Sequence, residues 1–311
     1  PVIKPIRDSM ENRYQWVIAA VPGKAWARKV FPELNETEAV ERLWQAILYT
    51  SRADGDGMEA WREHNADLKR RCAYLNSLSL RRLHYKSSNG TDLTVGLIPQ
   101  AQFLAGAEDT LGTSVTFNPN IPSEEVFTSP MKGQAEGIVY STRPLSYRGT
   151  MIENFSIRFE NGVVAGVKAE KGEEALKTLV NMDEGSKMLG ECALVPYDSP
   201  IRNSGIMFYN TLFDENAACH LALGDGFTSC IKDFESYTLE QWLKLWYSVY
   251  VEPQVRYSTK EFYHNAIDHH ILPKLGSVKL EKLTMLQIQQ FYNELLKSGR
   301  VQKKNQAELK E

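Results

Sequence analysis

Five residues in this chain have side chains suited to holding a divalent cation: Glu124, Glu125, Glu191, Glu215 and His220. Glu124 and Glu125 sit in P-S-E-E-V-F, and the others fall between Glu191 and Gly224 among apolar neighbours such as Ala217, Ala218, Leu221 and Ala222. Ionisable groups in such company are costly to bury unless they are paired or bound to a metal. Carboxylates with one imidazole are the donor set of a hard or borderline cation. Glu215 and His220 are five residues apart on an expected helix. They converge on one point only if that helix bends or ends between them. Taken singly, each acid could equally be a salt-bridged surface group.

The elements around these residues read as follows. Residues 15–21 (Q-W-V-I-A-A-V) form an apolar run closed by Pro22-Gly23, the pattern of a buried strand. Asn35 followed by Glu38 is a helix start, opening an amphipathic helix through Leu48. A second helix, rich in Arg and Lys, is expected from Met58 to Leu78. Leu80–Tyr85 and Asp92–Ile98 flank Asn89-Gly90, a hairpin signal, and Asn161-Gly162 similarly separates 151–159 from 163–167. A helix at about 172–182 leads to Glu191. After Ser236 the pattern changes to three helix-start boxes, Thr238/Gln241, Ser258/Glu261 and Thr284/Gln287, each ahead of a helical apolar period.

Composition sets bounds on these readings. The chain has 311 residues, 42% hydrophobic and 24% charged, which suits a globular protein of more than one domain. It has no apolar run of 18 residues, so neither a spanning helix nor a membrane partner is expected. The first residue is Pro rather than Met, so the start is expected to be a fragment boundary. Cys72, Cys192, Cys219 and Cys230 form no C-x-x-C pair, which favours a reducing, cytoplasmic setting. Residues 237–311 hold 11 Lys and Arg against 8 Asp and Glu, a net +3, while the rest of the chain is at −6.

The strings P-S-E-E-V-F-T-S-P (122–130), T-R-P-L (142–145), G-E-C-A-L-V (190–195), S-P-I (199–201) and T-L-F-D-E-N-A-A-C-H-L-A-L-G (211–224) resemble the aminopeptidase T family of thermophilic metallo-aminopeptidases, from near residue 10 to about Lys232. The resemblance implies that Glu125, Glu191, Glu215 and His220 bind a pair of divalent ions (Zn, Co or Mn), with Glu191 bridging them. Glu124 is then a candidate general base or a support for the ligands. It further implies a peptide substrate, whose N-terminal residue is removed by water held between cations about 3.5–4 Å apart. Two departures count against full activity. Phe227 stands where the family has Tyr, and Pro253 and Val255 stand where it has a His-x-Asp pair. One cation or none is therefore expected here, with impaired turnover. Cys192 and Cys219 are expected as small buried residues, and Arg143 and Arg202 as structural partners of nearby groups. The intact family is expected to dimerise, and the missing segments leave a homodimer open for this chain.

T-L-E-Q-W-L, H-I-L-P-K-L-G-S-V-K-L-E-K-L-T and I-Q-Q-F-Y-N-E-L-L, within 238–296, resemble the SAM-like core-binding domain of phage integrases, the tyrosine recombinases. That resemblance implies weak, salt-sensitive DNA binding through Lys260, Lys274, Lys279 and Lys282. His264, His269 and His270 fit its pattern as ordinary helix residues. The expected layout is an α/β remnant over 1–110, an α+β metal-binding domain over 111–236, an all-α helical bundle over 237–300, and a tail over 301–311. The alternative to the peptidase reading is a DNA-binding piece of a mobile element carrying a peptidase remnant.

Overall fold

The computed structural model describes residues 14–110, 113–252 and 255–298. The tail, the first thirteen residues and Pro253 lie outside them. The chain divides into two compact units, one reaching Lys232 and the other starting at Asp233.

The first unit opens with three helices, α1 (Lys24–Val30), α2 (Glu36–Thr50) and α3 (Gly57–Ser77). Asn35 caps α2 by accepting the Glu38 N–H at 3.0 Å, as its position in the sequence implies. Ahead of α1, residues 15–21 depart from the expected buried strand. Trp16, Val17, Ile18 and Val21 are exposed, and the segment makes a single parallel bridge, Ile18 to Asn120. An apolar run states a tendency to pair but does not supply the partner strands.

A five-stranded antiparallel sheet follows, in the order β1 (Arg82–Lys86), β2 (Asp92–Leu97), β6 (Pro130–Tyr140), β9 (Ser156–Glu160), β10 (Val163–Lys168). Gly90, at φ 99°, turns β1 into β2, and Asn161 and Gly162, both at positive φ, turn β9 into β10. The apolar run at 151–159 is two strands rather than one. Its first part is β8 (Thr150–Ile152), paired with β7 (Leu145–Tyr147), and Asn154 at positive φ separates it from β9. A second short ribbon joins β3 (Glu108–Asp109) to β4 (Thr116–Phe117). The expected boundary at 110 falls inside this unit, because β2 is hydrogen-bonded to β6 across it.

The site is built on a smaller antiparallel sheet: β5 (Val126–Thr128), β11 (Leu189–Leu194) and β12 (His220–Leu223), with β11 in the centre. Helix α4 (Glu173–Val180) precedes β11, and the short helices α5 (Pro200–Asn203) and α6 (Thr211–Asp214) precede β12. Two cores support these pieces. Leu189, Cys192, Leu221 and Leu223 pack with Leu93, Val95, Phe159 and Leu176 of the larger sheet and α4. Ala27, Leu43 and Ile47 of the first two helices pack with Ile201, Phe208, Phe213 and Ala217. Phe208 and Phe213 stack at 4.7 Å and are fully buried, each contributing roughly 1.5–3 kcal/mol by removal from water.

The second unit is helical, as expected. Helix α7 (Leu239–Trp246) continues into a π turn, Tyr247–Val251; α8 (Tyr257–Ala266) passes through a second π turn, Ile267–Ile271, into α9 (Leu272–Leu275); α10 (Met285–Ser298) follows. The boxes at Thr238/Gln241 and Thr284/Gln287 form reciprocally. The box at Ser258 does not, since α8 begins two residues earlier than that box implies, with Arg256 in the cap position. Among the described residues no helix is long and apolar enough to cross a membrane.

Candidate metal centre

Strand parity brings the donors together. In an antiparallel pair, residues directly opposite share a face, and so do residues two apart on one strand. Ala193 on β11 lies opposite His220 on β12 and opposite Phe127 on β5, and Glu191 lies opposite Ala222. Glu191 and His220 therefore share one face of the sheet, with Ala193 as a small floor between them. Glu125, two residues before Phe127, joins the same face. Each donor is followed by a residue of the opposite face that anchors it in a core: Val126 after Glu125, Cys192 after Glu191 and Leu221 after His220.

A bulge at Gly190 makes this alternation possible. The register shifts between Leu189 and Glu191, so Leu189 and Cys192 both enter the core while Glu191 points the other way. A Cβ on Gly190 would stand 2.1 Å from the Asp225 carbonyl oxygen, so the close approach requires glycine.

Ligand atoms of Glu125, Glu191 and His220 all lie within 4.8 Å of one another. His220 Nε2 is 2.8 Å from Glu125 Oε2, and its Nδ1 is 3.2 Å from the Ala218 carbonyl. The first contact is an ion pair, and beyond it the buried Glu125 Oε2 finds no hydrogen-bond partner among the described residues. A buried carboxylate oxygen left in this state is what a bound cation would complete. Burial, then the charge of Glu125, pushes the Glu191 carboxyl up to about 7. Burial also raises Glu215 to about 7, opposed by His220 and reinforced by Glu125 and Glu191. Burial works to lower His220, but contact with Glu125 and the charges of Glu125 and Glu215 outweigh it and raise the ring to about 9. Three acids and one base thus share one poorly solvated volume, short of positive charge.

The helix expected to carry both Glu215 and His220 ends between them. After α6 the chain makes one 3-10 turn, Glu215–Ala217, and His220 opens β12. Glu215 stands beside the three donors without belonging to the 4.8 Å set.

Glu124 is turned elsewhere. Arg52 grips it with both arms, Nε to Oε1 at 3.0 Å and Nη2 to Oε2 at 2.7 Å. His64 on α3 donates to the Ser123 carbonyl at 2.7 Å; burial lowers its pKa, so the neutral ring acts as the donor. Asn216 Oδ1 accepts the Glu124 N–H at 2.7 Å. Sequence reasoning missed Arg52, His64 and Asn216, whose partners lie 72, 59 and 92 residues away along the chain. The glycine within a strand pattern at Gly190 was the one local signal of this arrangement.

The remaining candidates are placed as follows. Cys192 is buried as expected, but Cys219 is exposed, because it lies in the link between the 3-10 turn and β12; its thiol meets the backbone of Val195. Arg143 donates to the Ile206 carbonyl at 2.6 Å, and Arg202 lies over the Tyr197 ring and donates to its carbonyl at 3.1 Å. Phe227 packs edge-on against Phe127 at 5.3 Å, and its N–H donates to Ser129 Oγ at 2.7 Å. In the second unit His264 pairs with Asp268 at 2.8 Å, Val255 follows the first π turn, and Lys274 pairs with Glu294 at 2.9 Å. Lys260 is half-buried on α8, and Lys279 and Lys282 are exposed around the turn Leu280–Lys282.

Residues 2–245 match the family described as thermophilic metalloprotease (M29), and residues 238–296 match the phage integrase N-terminal SAM-like domain. The chain is 45% identical over 234 residues to aminopeptidase AmpS of Bacillus subtilis, covering 75% of this chain and 57% of that protein. It is 46% identical over 228 residues to aminopeptidase T of Thermus thermophilus, covering 73% and 55%. The solved structure of wild-type AmpT from Thermus thermophilus superposes with a TM-score of 0.69 at 44% identity, covering 75% of this chain and 57% of that one. The chain therefore spans a little over half the length of the curated relatives it matches.

Proposed function

Because the chain belongs to the thermophilic metalloprotease (M29) family, we propose that its first unit is the cation-binding part of an aminopeptidase, acting on the N-terminal residue of peptides. The observation that carries this reading is the convergence of Glu125, Glu191 and His220 around a buried carboxylate oxygen that, beyond its ion pair with His220, has no hydrogen-bond partner among the described residues. These three residues would hold a Zn, Co or Mn ion, with Glu215 beside them as a further acidic group. When bound, the ion supplies a Lewis acid for a peptide carbonyl and acidifies water. Burial and mutual repulsion raise the Glu191 and Glu215 carboxyls when the site holds no cation, so a bound ion would offset charge that the fold itself leaves uncompensated. Glu124, a candidate base on sequence grounds, is assigned instead to anchoring, since Arg52 occupies both its oxygens.

A single ion rather than a pair is proposed. Val255 and Pro253 stand where the resemblance calls for Asp and His, and Phe227 has no oxygen where it calls for Tyr. Low turnover follows. Elemental analysis of the purified chain, paired with leucyl-p-nitroanilide hydrolysis, tests the reading. Roughly one equivalent of transition metal is expected per chain, lost on Glu191→Gln, with slow, chelator-sensitive hydrolysis. A chain that retains no metal, and whose melting temperature ignores added Zn, Co and Mn, overturns it.

A second reading concerns the second unit alone and is favoured by the match over residues 238–296. We propose weak DNA contact through the exposed Lys279 and Lys282, with Lys274 held back by Glu294 and Lys260 half-buried. A gel-shift series across salt concentrations decides this: no shift at the lowest salt removes it.

A further inference from the structure

Asn216 is buried to 1% exposure, and each polar atom of its side chain is used. Oδ1 accepts the Glu124 N–H at 2.7 Å and Nδ2 donates to the Leu212 carbonyl at 3.0 Å. Its backbone carbonyl accepts the fully buried Ser199 hydroxyl at 2.7 Å. Asn216 directly follows Glu215, and Glu124 directly precedes Glu125. One carboxamide therefore joins the two segments that carry facing acids.

Those acids repel one another in a volume that water screens poorly. Segments joined only by packing would relax by moving apart, and an arriving cation would have to draw them together again. A hydrogen bond from one segment's side chain to the other's buried amide resists that relaxation, because breaking it would leave a buried N–H without a partner. We propose that Asn216 is a positioning residue for the cation site, fixing the separation of Glu125 and Glu215 before any cation arrives. This rests on the reading of the site as a cation centre.

The test is Co(II) titration of the full chain, followed by visible absorption, together with hydrogen exchange at the Glu124 amide. It compares wild type, Asn216→Ala, Asn216→Asp and Ser199→Ala. Asn216→Ala should weaken cobalt binding roughly tenfold or more, alter the absorption envelope and speed exchange at Glu124. Asn216→Asp keeps an acceptor for Glu124 while losing the donor to Leu212. It should restore slow exchange and much of the cobalt affinity despite a lower melting temperature. Ser199→Ala should melt earlier while binding cobalt as wild type does, which separates positioning from stability. If Asn216→Ala fails to fold, Asn216→Asp carries the test, and loss of cobalt binding there overturns the inference. Wild-type cobalt binding by Asn216→Ala overturns it alone, whereas a wild-type chain that binds no cobalt overturns the cation centre as well.

Discussion

Arg52 and Glu124 form a two-armed ion pair between the end of α2 and the strand entry that carries Glu125, 72 residues further along the chain. Arg52 adopts φ 55°, a left-handed conformation that costs a non-glycine residue energy, so the pair is made against a local backbone preference. Glu124 is 2% exposed and has no comparable access to water. The pair holds the segment next to Glu125 to the helical layer.

Removing one partner should therefore cost far more than removing both. Arg52→Met leaves a buried carboxylate whose nearest remaining basic group is the His64 ring at 3.7 Å, and should destabilise the first unit by about 3–5 kcal/mol in urea unfolding. Arg52→Met with Glu124→Gln should recover a large part of that loss. Equal losses in the single and double variants would show that the ion pair is not what holds this segment.

Gly190 should tolerate no side chain. In Gly190→Val the new Cβ would lie 2.1 Å from the Asp225 carbonyl oxygen and 2.7 Å from that of Gly224. A loss of about 3 kcal/mol is expected, at the upper end of overpacking costs. Cobalt binding should disappear with it, because relief by straightening the bulge turns Glu191 toward the core. A Gly190→Val chain with wild-type melting and cobalt binding would contradict the bulge argument.

Ala193 is the floor between Glu191 and His220. Ala193→Leu should fill the space where the donors meet, abolishing cobalt binding while costing about 1–3 kcal/mol by overpacking. Ala193→Ser, close in size, should bind cobalt normally. Both are read by the same titration, and unimpaired binding in the Leu variant would place the cation elsewhere.

The metal-free chain should lose stability as pH rises. Glu191 and Glu215 titrate near 7 in the fold against an ordinary 4.5, and His220 near 9 against 6.5. Each raised value means that the fold favours the protonated form. That contribution is complete below the ordinary value and is lost as pH climbs through the folded one. Melting temperature without metal should fall between pH 4.5 and 9, and the rise produced by added Zn should grow over the same window. A metal-free melting temperature that climbs across that range would contradict the placement of these groups.

Local chemistry made much of the fold legible. Asn35, the turns at Asn89-Gly90 and Asn161-Gly162, and the boxes at Thr238 and Thr284 behave as their residue types require. Residue type and whole-motif resemblance pick out Glu125, Glu191 and His220, the three groups that the structure brings together, along with Glu215, which stands beside them. The conformation at His220 was not legible, because A-A-C-H-L-A-L serves a helix as readily as a strand until β11 pairs with it. Asn216 and Arg52 carry no local sign of their partners, since hydrogen bonds across 92 and 72 residues leave no spacing pattern. The run at 15–21 shows the opposite failure, a clear local preference that a single bridge only partly satisfies.

The donors enter the site from three places on one small sheet, Glu125 immediately ahead of β5, Glu191 on β11 and His220 at the start of β12, and none is near another in sequence. Occupancy by a cation therefore counts only molecules in which all three strands have docked in register. Bound metal per chain becomes a gauge of how completely a preparation has matured, one that a spectrum of helix and strand content alone would not provide.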